Sequence, residues 1–248
     1  MRWLESRVNL GAIIALVTLV ILGLGVHVTP WLVVTVIAFT IVLIYAEIKS
    51  WFSWRNNSPR DKSVSTLLLG SFTLAFLTAG AIALSVLAIG NMRFVIGVFV
   101  IAYGSDTAAI LVGRGCSDCP VIGRSKRPIF KFAPSKTLAG FLGAALFGLF
   151  CTLALGSIGL LPARPLTLLS PLIVIAADLL GSGYKRRFGI KDSGEIMAQY
   201  HQNDSGREAW FSRLWRGMLP HGGFLDRFGS VLLLALFIYL IANWGAFF

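Results

Sequence analysis

The sequence predicts an all-α polytopic membrane protein of about seven transmembrane helices, with its N-terminus in the cytoplasm. Three observations lead there. The 248-residue chain is 56% hydrophobic and only 13% charged, with a mean hydropathy of +0.78, whereas a soluble domain carries about a quarter charged residues. Seven apolar stretches reach the roughly 18–20 residues that cross ~30 Å of hydrocarbon. Of 22 Lys and Arg, 20 fall in segments that alternating spans leave on one side, as the excess of positive charge in cytoplasmic loops requires.

In chain order the stretches are 9–29, 31–48, 64–90, 93–112, 138–160, 166–184 and 229–247. The first has no small-residue cleavage site behind it and reads as a span, not as a signal peptide. The inside segments are then 1–8, 49–63, 113–137 and 185–228, and only Arg93 and Arg164 lie elsewhere. The net charge of +11 therefore reflects topology, and nucleic acid is not an expected partner. Three cysteines give no even disulfide framework. Cys116 and Cys119 form one C-x-x-C, short of the four ligands of a zinc site, and Cys151 reads as core. Trp31, Arg93 and Trp244 read as interfacial anchors. The chain divides into N-terminal transmembrane helices, 1–90, and a catalytic transmembrane region, 91–248, which carries the loops 113–137 and 185–228.

Acids inside apolar helices are expensive, so each is a functional candidate, with a structural ion pair as the alternative. Asp106 and Asp178 each stand about six residues before the cytoplasmic end of their stretch, roughly 9 Å below the same interface. Asp226 precedes the last stretch on that side. Asp178, Ser182 and Lys185 are spaced i, i+4 and i+7 and share one helical face. Gly181 and Gly183 leave room there for a ligand or a neighbouring helix. Around these acids lie Lys185, Arg186, Lys191 and Asp192 in DLLGSGYKRRFGIKDSG, then His221, Gly222, Gly223 and Arg227 in LPHGGFLDRFGS. Acids able to hold a divalent cation beside bases able to neutralise phosphate point to phosphate chemistry. Their place at helix ends makes a lipid substrate the natural partner.

These blocks resemble the phosphatidate cytidylyltransferase (CDP-diacylglycerol synthase) family. Its signature, S-x-x-K-R-x-x-x-x-K-D-x-G followed by P-G-H-G-G-x-x-D-R-x-D, is matched by Ser182, Lys185, Arg186, Lys191, Asp192 and Gly194, then by Pro220, His221, Gly222, Gly223, Asp226 and Arg227. Upstream, the family's D-T-x-A-Y, G-R and S-P-x-K-T-x-E-G runs are matched by Asp106, Thr107 and Ala109, by Gly113 and Arg114, and by Pro134, Ser135, Lys136, Thr137 and Gly140. The match spans residues 104–230 in order. It departs from the pattern in an insert, Glu195 to Met218, between the signature halves, in the missing Gly between Pro220 and His221, in Gly229 or Ser230 standing at the signature's last Asp, in the inverted order Pro134–Ser135, and in Gly181 standing at the Glu of the family's G-D-L-x-E-S run. Within the insert, Trp210, Phe211, Leu214, Trp215 and Met218 fall at helical spacing among arginines. This suggests an amphipathic helix on the cytoplasmic leaflet or a partner interface.

The resemblance implies a Mg²⁺-dependent nucleotidyltransferase that joins CTP to phosphatidate, giving CDP-diacylglycerol and pyrophosphate for phospholipid biosynthesis. It assigns Asp178 and Asp226 to the metal, with Asp192 and Asp106 as further ligands, and leaves a second, monovalent or divalent cation open. Lys185, Arg186, Lys191 and Arg227 would offset phosphate charge, and His221 would move a proton or orient a phosphate. Arg114, Ser135, Lys136, Thr137, Ser182, Gly222 and Gly223 would bind substrate. The active site would face the cytoplasm of a bacterial inner membrane, with a homodimer left open. Two alternatives remain. One is a CTP-using transferase or kinase acting on another lipid phosphate or lipid alcohol. The other is a transporter of an anionic solute, which the absence of an internal repeat and the one-sided polar blocks disfavour.

Overall fold

In a computed structural model, residues 64–115, 136–187 and 224–244 are described, along with the single helical positions 38 and 42. They form five long α-helices and no β-strand. The helices are α1 (Val64–Gly90), α2 (Met92–Gly115), α3 (Leu138–Ser157), α4 (Ser170–Arg187) and α5 (Phe224–Asn243), with a 3₁₀ turn at Pro165–Leu169 ahead of α4. Among the described residues, four segments are long and apolar enough to cross a membrane: Ser71–Gly90, Met92–Gly113, Leu138–Ser157 and Pro165–Gly183. The expected spans 9–29 and 31–48 lie outside the described residues, apart from positions 38 and 42.

Five expected spans thus coincide with described helices, but the ends differ. Both α2 and α4 run three residues past the apolar stretches, to Gly115 and Arg187, and α5 begins five residues early, at Phe224. Apolar runs mark where a helix meets hydrocarbon, whereas backbone hydrogen bonding continues into the polar ends. Asp106 and Asp178 consequently each stand nine residues before the last residue of their helix, about 13 Å along the axis. The apolar part of α5, Phe228–Asn243, is shorter than the other spans.

Short connections fix the antiparallel neighbours. Between α1 and α2 stands one residue, Asn91: its N–H donates to the Leu87 carbonyl (2.7 Å), and its carbonyl accepts from the Phe94 N–H (3.0 Å). At its C-terminus, α3 closes with a Schellman arrangement. The Leu160 N–H donates to Leu155 (2.9 Å) and the Gly159 N–H to Gly156 (3.2 Å), with Gly159 at φ +74°. Only glycine takes that conformation without a Cβ penalty. The following turn is held by Thr167 Oγ1 on the Pro162 carbonyl (2.9 Å) and Ser170 Oγ on the Thr167 carbonyl (2.6 Å).

The core gathers Leu84, Val95, Val98, Ile101, Val174, Leu232, Leu234 and Ile238 from α1, α2, α4 and α5. Cys151 is buried, as expected. The most extensive packing joins α2 to α3, and α3 makes it with small residues: Ala139, Gly140, Gly143, Ala144 and Gly148 are all buried. This is how helices approach closely in a membrane, where hydrophobic burial gives no net drive between them and close packing must supply the attraction.

Candidate functional site

The site begins at the N-terminus of α3. Thr137 has extended backbone angles (φ −100°, ψ 154°) and caps the helix, its Oγ1 accepting from the Gly140 N–H at 3.2 Å. That bond satisfies one of the donors that every helix start leaves unpaired. The end of α2 is pressed against the cap. A Cβ on Gly113 would lie 3.1 Å from Thr137 Oγ1, and one on Gly140 would lie 2.8 Å from the Ala109 carbonyl oxygen. The glycines of the G-R and S-K-T-x-x-G runs therefore serve one contact, which locks Lys136 and Thr137 to the helix that carries Asp106. Thr137→Ala removes the cap and should cost about 1 kcal/mol, read as a fall of a few degrees in the thermal midpoint of the detergent-solubilised protein.

From this edge Lys136 reaches across to α4, where its ammonium donates to the Asp178 carboxylate in an ion pair. Both side chains remain about a third exposed, at 35% and 37%. An intramembrane carboxylate thus has a neutralising partner while staying open to a ligand. Ser182 and Lys185 continue along the same face of α4, half-buried, and Arg186 beyond them is exposed. On α5, Ser230 Oγ donates to Asp106 Oδ2 at 3.4 Å, a long bond that nevertheless joins α5 to α2 at the depth of the carboxylate. Position 226 lies four residues earlier, one turn along the same face of α5. Asp106, Asp178 and the backbone of Asp226 are therefore carried by mutually packed helices at one end of the bundle.

Several expected site residues are placed less fully. Arg114, Asp226 and Arg227 are positioned by the backbones of α2 and α5. Ser135, Lys191, Asp192, His221, Gly222 and Gly223 lie outside the described residues, as do Cys116, Cys119 and the insert 195–218. Two features were not anticipated from the sequence. Ser230 entered there only as a departure from a signature, although its i+4 relation to Asp226 already placed it on the acid's face. The partner of Asp178 was not identifiable either, because Lys136 is 42 residues away on another helix.

Among the described residues no three of His, Cys, Asp and Glu gather into one cluster. Two carboxylates, Asp106 and Asp178, stand on the packed helices α2 and α4, with position 226 one turn from the Ser230 that touches Asp106. Such a set suits Mg²⁺, which takes one or two carboxylates and completes its shell with phosphate oxygens and water.

Carboxylates, an ammonium and a capped helix start carried by packed apolar helices are groups that phosphate chemistry at a membrane surface can use. The comparison with known proteins narrows this: residues 2–198 match the model of the cytidylyltransferase family, and the chain belongs to that family. Over 239 residues it is 29% identical to a phosphatidate cytidylyltransferase of Staphylococcus aureus (strain COL), covering 90% of this chain and 75% of the relative. A Staphylococcus epidermidis phosphatidate cytidylyltransferase (strain ATCC 12228) is 31% identical over 146 residues, covering 56% of this chain and 45% of the relative. No solved structure matches.

Proposed function

We propose that this chain transfers the cytidylyl group of CTP to the phosphate of phosphatidate, giving CDP-diacylglycerol and pyrophosphate for phospholipid biosynthesis. Family membership and the names of its relatives support the activity. The structural observation that carries it is the Lys136–Asp178 pair, which joins two motifs far apart in sequence into one charged site at the end of a membrane bundle. The site faces the cytoplasm, where CTP is, with seven spans in all, as the distribution of Lys and Arg requires.

In this reaction an oxygen of the lipid phosphate forms a bond to the α-phosphorus of CTP, and the bond from that phosphorus to the bridging oxygen of pyrophosphate breaks. A phosphate monoester has its second pKa near 6 and is mostly a dianion at pH 7, so no general base is needed to generate the nucleophile. What the protein must supply is position and compensation of charge. Lys185, Arg186, Lys191 and Arg227 offset the phosphates, Arg by paired donors and Lys as a point charge. Arg114, Ser135, Lys136, Thr137, Ser182, Gly222 and Gly223 bind the substrates, and His221 orients a phosphate or protonates the leaving group. Asp178 and Asp226, with Asp106 and Asp192 as further candidates, would hold Mg²⁺. When bound, that ion supplies charge neutralisation across the transferring and leaving phosphates.

The test is pyrophosphate release by purified protein in detergent with CTP, Mg²⁺ and phosphatidate, beside Asp226→Ala. Lipid-dependent release, lost in the variant, is the expected result. Release of CDP in place of pyrophosphate would move the attack to the γ-phosphorus and make the protein a kinase. Absence of any CTP-dependent product in folded protein would sink the assignment.

A further inference from the structure

Lys136 comes from the residue just before the cap of α3, on a four-carbon stem, and its ammonium is already bound to Asp178. The proposal below rests on the nucleotidyl-transfer reading above and concerns what that ion pair does. Three facts bear on it. First, the lysine enters from an anchored base: its neighbour Thr137 is capped onto Gly140 and packed against Gly113. Second, about a third of each partner is exposed, so neither is sealed from an incoming ligand. Third, the carboxylate that holds the ammonium is one expected to hold a divalent cation. An ammonium and a divalent cation held by one carboxylate repel each other, so each weakens the other's hold on it.

We propose that Lys136 is a resident counter-ion of Asp178 that gives way to the divalent cation and is thereby released onto substrate phosphate. In the unliganded protein the ammonium neutralises a carboxylate inside a spanning helix, where an unpaired charge is costly. Arrival of the metal frees the ammonium, and the flexible stem lets it turn to the phosphates that arrive with the metal. The same residue thus opposes binding of the bare metal and favours binding of the metal–nucleotide complex. The site is biased against holding a divalent cation without its nucleotide.

The exchange is tested by Mn²⁺ binding to the purified full-length protein in detergent, followed by electron paramagnetic resonance without nucleotide. Lys136→Met should bind Mn²⁺ about three- to tenfold more tightly than the parent, and Lys136→Arg should stay near the parent value. In the same Met variant, the affinity for CTP in the presence of Mg²⁺ should fall. Equal or weaker Mn²⁺ binding in Lys136→Met, or no Mn²⁺ binding by either protein, overturns the proposal. A second measurement guards against misfolding of the variant. In the parent protein, acylation of Lys136 by an amine-reactive probe, read by mass spectrometry, should rise when Mn²⁺ saturates the site, and unchanged labelling at saturation overturns the exchange. Neither measurement uses turnover. Pyrophosphate release by the parent protein tests the underlying reading separately.

Discussion

Asp178→Asn should lower phosphatidate-dependent pyrophosphate release by on the order of 10²–10³-fold, the range found when one preorganised electrostatic group is removed from an active site. The substitution keeps the shape of the side chain and leaves a carbonyl oxygen for Lys136, but it removes the charge. The fold should feel it little. Both members of the Lys136–Asp178 pair are about a third exposed, and ion pairs screened by solvent contribute about 1 kcal/mol or less. The thermal midpoint should therefore shift by no more than a few degrees while turnover collapses. Release within threefold of the parent would remove Asp178 from the catalytic machinery. A collapse of midpoint and turnover together would recast the pair as structural.

The largest effect on stability is expected at Gly80. A Cβ there would lie 2.3 Å from the carbonyl oxygen and 2.7 Å from the carbonyl carbon of Leu232. These are backbone atoms of α5 and cannot rotate away as a side-chain tip would. Gly80→Val must separate α1 from α5 or bend one of them, at a cost of about 1–3 kcal/mol or more. Gly90, with nothing within 4 Å of the same construction, is the matched control, and Gly90→Ala should be close to neutral. The check is the thermal midpoint of each variant in one detergent. Equal midpoints for Gly80→Val and Gly90→Ala would show that α1 does not rest on α5 through this contact.

Much of this architecture is written in hydropathy. Apolar runs located α1 to α5 because a membrane span needs length more than it needs pattern. Their ends were less legible: Lys185, Arg186 and Arg187 interrupt the apolar signal while the backbone of α4 continues through Arg187. The candidate site was legible as a set of residues and not as a set of contacts. Asp106 and Asp178 stood out because carboxylates are rare in hydrocarbon, and the tie between Asp178, Ser182 and Lys185 followed from helical spacing alone. The links from Lys136 to Asp178 and from Ser230 to Asp106 span 42 and 124 residues. They depend on which helices become neighbours, and a single sequence does not encode that periodically. The role of Gly113 and Gly140 in seating the cap was hidden for the same reason.

Helix α3 turns the usual layout of a helix inside out. It faces its neighbours with Ala139, Gly140, Gly143, Ala144 and Gly148, while Leu142, Leu146, Phe150 and Leu153 point outward with 45–68% exposure. In a water-soluble protein the large side chains would be the conserved interior and the small ones incidental. Here the ceiling on size lies inside and the freedom lies outside. A library that randomises α3 should therefore tolerate exchange among oily residues on the outward positions and reject almost any enlargement on the inward ones. Drift in this helix will be recorded as turnover among leucine, phenylalanine and their kin, beside glycines and alanines that stay where they are.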